Sequence, residues 1–188
     1  MSGGGEDLGG ELAPRIVVPE RSLVLLVGAS GSGKSTFAAR HFRPSEVLSS
    51  DAFRALVADD ERDMSATADA FEALHLVAAR RLARGRLTVV DATSVEPASR
   101  RPLLALAQAH GSEPLAIVLD LPVALCVERN AARGDLRVPP WVVRRQQGLL
   151  RRSLGGLEGE GLHRVVVLRT PEEVAAARVE RERAPGGR

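Results

Sequence analysis

The stretch "GASGSGKST", Gly28 to Thr36, limits what this chain can fold into more than any other. It fits G-x-x-x-x-G-K-[ST] in full, follows the strand-like run "SLVLLV" and opens the helical pattern "KSTFAARHF", which is the context the pattern requires. Glycines let the backbone curl so that successive N–H groups point inward at phosphate oxygens, and the positive end of the following helix adds to the attraction. The candidate nucleotide contacts are therefore Gly28, Ser30, Gly31, Ser32, Gly33, Lys34, Ser35 and Thr36. In such a cradle Lys34 bridges the β- and γ-phosphates, Ser35 ligates Mg²⁺ and Thr36 supports the α-phosphate. Composition sharpens one member of the set. Of 26 basic residues Lys34 is the single lysine, so the bias toward arginine makes any one Arg weak evidence and Lys34 strong evidence.

Around the cradle, apolar strand-like runs at 22–28, 46–50, 87–92, 114–121 and 164–169 alternate with helical patterns. Runs that are apolar on both faces suit a parallel sheet buried between helices, so the fold class is α/β with doubly wound topology. Phe71, Leu74, Leu76, Val77, Ala78 and Leu82 recur at helical spacing before Gly85, a C-cap candidate, while Pro97, Pro122 and Pro171 each suit a first helical turn. At 188 residues, 44% of them hydrophobic, the chain has room for one domain. Its expected bounds are 15–182, with Gly-rich disordered tails at 1–14 and 183–188.

A single cysteine, Cys126, allows no internal disulfide and suits a reducing setting. The N-terminus lacks a leader-like pattern and no run approaches the roughly 20 apolar residues of a membrane span, so a soluble, cytoplasmic protein is expected. Net charge is only +2 but unevenly placed. Six acids stand between Val57 and Glu72 against one arginine, and seven arginines between Arg129 and Arg152 against one Asp. Solvated helix faces account for such runs as readily as binding surfaces do.

A nucleotide cradle serves switch GTPases, remodelling ATPases and small kinases. The only asparagine, Asn130 in "ERNAAR", leaves no guanine-reading N-K-x-D, and a remodelling ATPase usually needs a larger domain with sensor elements. A kinase remains. In "EVLSSDAFR", residues 46–54, Asp51 follows the second strand and starts a helix, so its carboxylate can reach the crevice at the carboxyl ends of the strands. There it could orient an acceptor hydroxyl and take its proton, with Arg54 one turn on; equally, Asp51 could simply cap the helix. Asp91 in "VVDAT" ends the third strand, as an outer-shell Mg²⁺ partner or a turn former. His75 is expected to pack or bond locally rather than catalyse, and Trp141 to anchor in the core rather than flank a nucleobase.

"LVLLVGASGSGKSTFAARHF", "EVLSSDAFR", "TADAFEALH", "RLTVVDATSV" and "CVERNAAR", in this order from about Pro19 to about Val179, resemble the kinase module of bacterial polynucleotide kinase-phosphatases that repair RNA ends. The resemblance implies a P-loop kinase fold with a five-stranded parallel sheet and a helical arginine-bearing lid. It implies that Asp51 activates a 5′-hydroxyl, that Arg54 contacts the acceptor side, and that Arg129, Arg133 and Arg137 close over the ATP phosphates. Their spacing of four puts Arg129 and Arg133 on one helix face. Relatives commonly read Asp-Ala-Thr-Asn where this chain has Ser94.

The expected activity is transfer of the γ-phosphate of ATP or another NTP, with Mg²⁺, to the 5′-hydroxyl of an RNA or DNA end. Lys34, Asp51, Arg54, Arg129 and Arg133 would be catalytic, with Ser35 and Asp91 on the metal side. The family's phosphatase and ligase activities, if used, come from elsewhere. Two alternatives stay open: a small-molecule kinase acting on a nucleoside, sugar or antibiotic hydroxyl, and a non-catalytic, nucleotide-gated binding module.

Overall fold

The computed structural model of this protein describes residues 13–182, so most of both expected tails lies outside the described residues. Pro14 is already tied down, its carbonyl accepting from Arg178 N at 2.9 Å. Seven strands, β1 (Arg15–Pro19), β2 (Ser22–Val27), β3 (Val47–Ser49), β4 (Thr88–Asp91), β5 (Glu113–Leu119), β6 (Arg164–Leu168) and β7 (Arg178–Glu182), alternate with seven helices. These are α1 (Lys34–His41), α2 (Ser50–Ala58), α3 (Thr67–Ala83), α4 (Pro97–Ala109), α5 (Val123–Ala131), α6 (Pro140–Leu154) and α7 (Pro171–Ala176). Five strands form one parallel sheet in the order β3-β4-β2-β5-β6, as the apolar runs predict.

The period of two along β2 builds both layers. Leu23, Leu25 and Val27 pack on one face with Leu74, Ala78 and Leu82 of α3 and Leu103 of α4, while Val24 and Leu26 face Phe37 and Ala38 of α1. All six β2 residues are buried, which is why the run reads as continuously apolar. On the α1 side the cover is completed by a two-stranded parallel sheet of β1 and β7, through Ile16, Val18 and Val179. Neither of these strands figures among the expected ones.

Leu76 and Val77 are a correction. The buried stripe of α3 is Ala70, Leu74, Ala78 and Leu82, at steps of four, and the rotation of about 100° per residue turns Leu76 and Val77 to solvent. Gly85 takes a φ of +62° just past this helix, donating to Leu82 O at 2.8 Å, as a C-terminal glycine should. Pro122 stands one residue before α5 rather than inside it. Trp141 is not a core anchor: it lies exposed near the start of α6. His75 does pack locally, against the Phe71 ring.

The two kinds of leucine give a direct test of this packing. Leu25→Ala is expected to lower the free energy of unfolding by about 2–5 kcal/mol, and Leu76→Ala to change it by less than about 0.5 kcal/mol. Urea melts of both variants check the contrast.

Candidate active site

Strand register decides what can meet. Asp91 at the end of β4 pairs with Leu26 of β2 on one side and with Ser49 of β3 on the other, so the segments that follow these three strands enter one crevice. After β2 comes the phosphate loop, after β3 Asp51, and after β4 the segment Ala92–Glu96. All three line a single cleft of about 1110 Å³, open to solvent. That exceeds the roughly 300–1,000 Å³ of an ordinary small-ligand pocket and leaves room for a nucleotide and a second reactant.

The glycines of the loop are used for different reasons. Gly31, at φ +79°, sits so close to α5 that a Cβ there would lie 2.1 Å from the Cys126 carbonyl oxygen. Gly33, at φ +94°, turns the chain into α1, and its carbonyl accepts from Phe37 N at 2.9 Å. A Cβ on Gly28 would lie 2.6 Å from Ser32 Oγ, so the buried Ser32 side chain fills the space beside it, and Ser32 lines the cleft with the rest of the loop. Ser30 N donates to Gln146 Oε1 of α6 at 2.8 Å. Ser35 and Thr36 are exposed at the start of α1 and line the cleft.

Lys34 is buried and bends back over the loop, its Nζ donating to the carbonyls of Gly28 and Ala29 at 2.8 and 3.0 Å. Burial pushes the ammonium below the usual lysine range, while the carboxylates of Asp91 and Asp51 pull it back and Arg133 adds to the lowering. Both acids are thus electrostatic neighbours of the loop lysine.

The capping alternative for Asp51 does not hold. Ser49 is the N-cap of α2, its Oγ accepting from Ala52 N, which leaves the Asp51 carboxylate free of that duty. The carboxylate is instead flanked by two guanidinium groups. Arg54 Nη2 donates to Oδ1, and Arg133 Nη2 lies 3.7 Å from Oδ2. Arg54 is itself fixed by a bond from Nε to Glu61 O at 2.8 Å, so in this state it holds Asp51 rather than reaching toward an acceptor.

Arg129 and Arg133 both line the cleft but do not share a helix face. α5 ends at Ala131, and Arg133 begins the 3-10 turn Gly134–Leu136 because Gly134 adopts φ +60° and breaks the helix. Asn130, buried, clamps the far end of this turn: Nδ2 donates to Val138 O at 2.8 Å and Oδ1 accepts from Val138 N at 3.1 Å. Arg129 stands over the phosphate loop, its Nη1 3.8 Å from where a Cβ on Gly33 would be. Arg137 also lines the cleft. Gln146 is a cleft residue the sequence does not flag, since an amide in a polar helix carries no periodic signal, while Asn130 acts only by holding the turn that carries Arg133 and Arg137. Of the other basic residues, Arg145 lines the cleft and Arg151 lies 3.5 Å from Asp120. Part of the acidic run is local chemistry: Asp59 ends α2, Asp60 pairs with Arg62, and Asp63 caps the next turn.

No group of three or more His, Cys, Asp or Glu side chains among the described residues could cage a metal. Mg²⁺ binds through one or two protein oxygens together with substrate phosphates, and Ser35 and Asp91 on the cleft wall are the residues that would hold it. No helix among the described residues is long and apolar enough to cross a membrane.

Solved structures share the fold. A candidate kinase from Chloroflexus aurantiacus is 19% identical with a TM-score of 0.58, over 85% of this chain and 87% of that one. A chain of the Pnkp1/Rnl/Hen1 RNA repair complex is 21% identical with a TM-score of 0.62, over 81% of this chain but 48% of that one. A gluconokinase from Sinorhizobium meliloti is 19% identical with a TM-score of 0.52, over 84% and 87%. No curated protein matches the chain. The fold is that of P-loop kinases. Residues 23–154, which carry the phosphate loop, Asp51, Asp91, Arg129, Arg133 and Arg137, match the family described as an AAA domain, and the chain belongs to that family as a kinase-like P-loop domain.

Proposed function

We propose that this protein is an ATP-dependent phosphotransferase that acts on the 5′-hydroxyl of an RNA or DNA end. The observation that carries the reading is the shared cleft: the Asp51 carboxylate, free of capping and flanked by Arg54 and Arg133, opens into the same space as Lys34 and the phosphate loop. The polymer acceptor is supported by the cleft's size, openness and charge. Among the described residues eight cations line it (Lys34, Arg40, Arg54, Arg62, Arg129, Arg133, Arg137, Arg145) against five carboxylates (Asp51, Glu61, Asp91, Glu96, Asp135).

In this reading Lys34 leaves the loop carbonyls for the β- and γ-phosphates, and Asp51 accepts the acceptor's proton as its oxygen bonds to the γ-phosphorus and the bond to the bridging oxygen breaks. Arg129 and Arg133 neutralise charge on the transferring group, and withdrawal of Arg133 toward phosphate frees Asp51 Oδ2. Mg²⁺, when bound, would supply further neutralisation of the phosphate oxygens.

A small-molecule acceptor is the second reading, favoured by one observation: the chain spans 87% of the gluconokinase but about half, 48%, of the matching RNA-repair chain. The test is incubation with γ-labelled ATP, Mg²⁺ and either a 5′-hydroxyl oligonucleotide or a panel of nucleosides, sugars and sugar acids. Label on the oligonucleotide is expected. Label on a small acceptor alone would replace this reading with the second.

A further inference from the structure

The segment after β4 lies between the two halves of the chemistry. Because β4 sits between β2 and β3 in the sheet, residues 92–95 run between the phosphate loop and Asp51, where a transferred group and its acceptor have to meet. Three consecutive carbonyls of this segment are each held by a different element. Thr93 O accepts from Gly28 N of the phosphate loop at 3.2 Å, Ser94 O from Arg100 Nη1 of α4 at 2.7 Å, and Val95 O from Ser153 Oγ of α6 at 2.8 Å. Ser94 has a φ of +45°, in the left-handed region that a residue with a Cβ disfavours. Such a conformation persists where its surroundings over-determine it, and here they do. An asparagine at this position would tolerate the same backbone more easily.

Arg100 is the anchor without another use. It is completely buried and does not line the cleft. Its Nε and Nη2 grip both carboxylate oxygens of Glu160, the first at 2.7 Å, which leaves Nη1 aimed at Ser94 O. A buried ion pair of this kind is no better for stability than apolar residues of similar volume. What the planar fork adds is direction: Glu160 fixes two nitrogens and thereby the third.

We propose that Arg100, oriented by Glu160, is a positioning residue that holds the Thr93–Val95 segment in its strained form as the wall against which the acceptor is aligned. The proposal rests on the phosphotransfer reading of the cleft and holds for either acceptor class.

The test compares wild type with a double variant, Arg100→Met with Glu160→Met, which removes both charges and leaves neither stranded. The variant is expected to unfold cooperatively near the wild-type midpoint and to bind ATP within a few-fold of wild type. Its KM for the acceptor should rise, or its transfer rate fall, by about ten- to a hundredfold, the cost of a misplaced reactant. Amide hydrogen exchange should quicken at residues 93–96 and not along β2 or β5. Arg100→Lys, which cannot grip Glu160 and Ser94 with one planar fork, should not restore alignment. A folded double variant with wild-type acceptor kinetics, or with unchanged exchange at 93–96, overturns the positioning role alone. A wild type that labels neither the oligonucleotide nor any small acceptor removes the phosphotransfer reading, and this role with it.

Discussion

Asp51→Asn is expected to lower phosphoryl transfer by about 10²- to 10⁴-fold while leaving ATP affinity within a few-fold of wild type. The substitution is nearly isosteric and keeps an oxygen for Arg54 Nη2 to donate to, so the α2 start and the Arg54–Glu61 contact survive. What disappears is the basic carboxylate oxygen. Ser49 carries the helix cap, so Asp51 can change without fraying α2, and a loss of activity cannot be assigned to local unfolding. Single-turnover transfer at saturating ATP, with nucleotide binding measured separately by calorimetry, separates the two quantities. Transfer by Asp51→Asn within a few-fold of wild type would remove Asp51 from the chemistry. Wild-type ATP binding with no transfer to any acceptor, and no change on mutation, would leave a nucleotide-gated binding module.

Gly31→Ala should abolish nucleotide binding and lower the melting temperature. Two costs coincide at this position. The left-handed backbone, φ +79°, costs a residue with a Cβ about 1–2 kcal/mol. The added carbon would stand 2.1 Å from the Cys126 carbonyl oxygen, and a helix backbone cannot rotate away as a side chain can. Either the loop lifts from α5 or α5 shifts with Arg129 on it, and both break the cradle. Gly148→Ala is the matching control: it lies inside α6 with nothing within 4 Å of the added carbon. There alanine should stabilise the helix by about 0.5–1 kcal/mol and leave ATP binding unchanged. Calorimetric titration of ATP and thermal melts of both variants decide the matter. Wild-type affinity in Gly31→Ala would mean that the loop does not press on α5 in solution.

Much of this was legible because some residue patterns have only one physical use. Five consecutive apolar residues followed by a glycine-rich turn, a lysine and a helix describe a buried strand feeding a phosphate cradle, whatever surrounds them. Asp51 was legible only as one of two things, a cap or a base. Spacing cannot distinguish them, since the same helix start offers Ser49, Ser50 and Asp51 as caps. The hydrogen bond from Ala52 N to Ser49 Oγ removes the cap reading and leaves the base as the proposal. β1 and β7 escaped notice because their pairing joins Arg15 to Arg178 and the later strand, "RVERE", exposes all but one of its residues. β1 does alternate, with Ile16 and Val18 buried, but its short apolar core of three residues is too brief to stand out without the partner that lies at the chain's other end.

The arginines mark the same boundary. Among 25 of them nothing in the sequence separates Arg100, buried and bonded through three nitrogens, from Arg144 or Arg152 on the surface. The sequence alone determined the α/β class, the cradle, its lysine and the helix starts at Pro97 and Pro171, because these depend on neighbours within a few residues. Tertiary structure decided that the Asp51 and Asp91 carboxylates share the cleft with the cradle, where the turn after α5 breaks, and what holds Ser94 in a conformation it disfavours. Each of these depends on distance through space between segments far apart in the chain, and the order β3-β4-β2 in the sheet, which no local pattern encodes, is what brings them together.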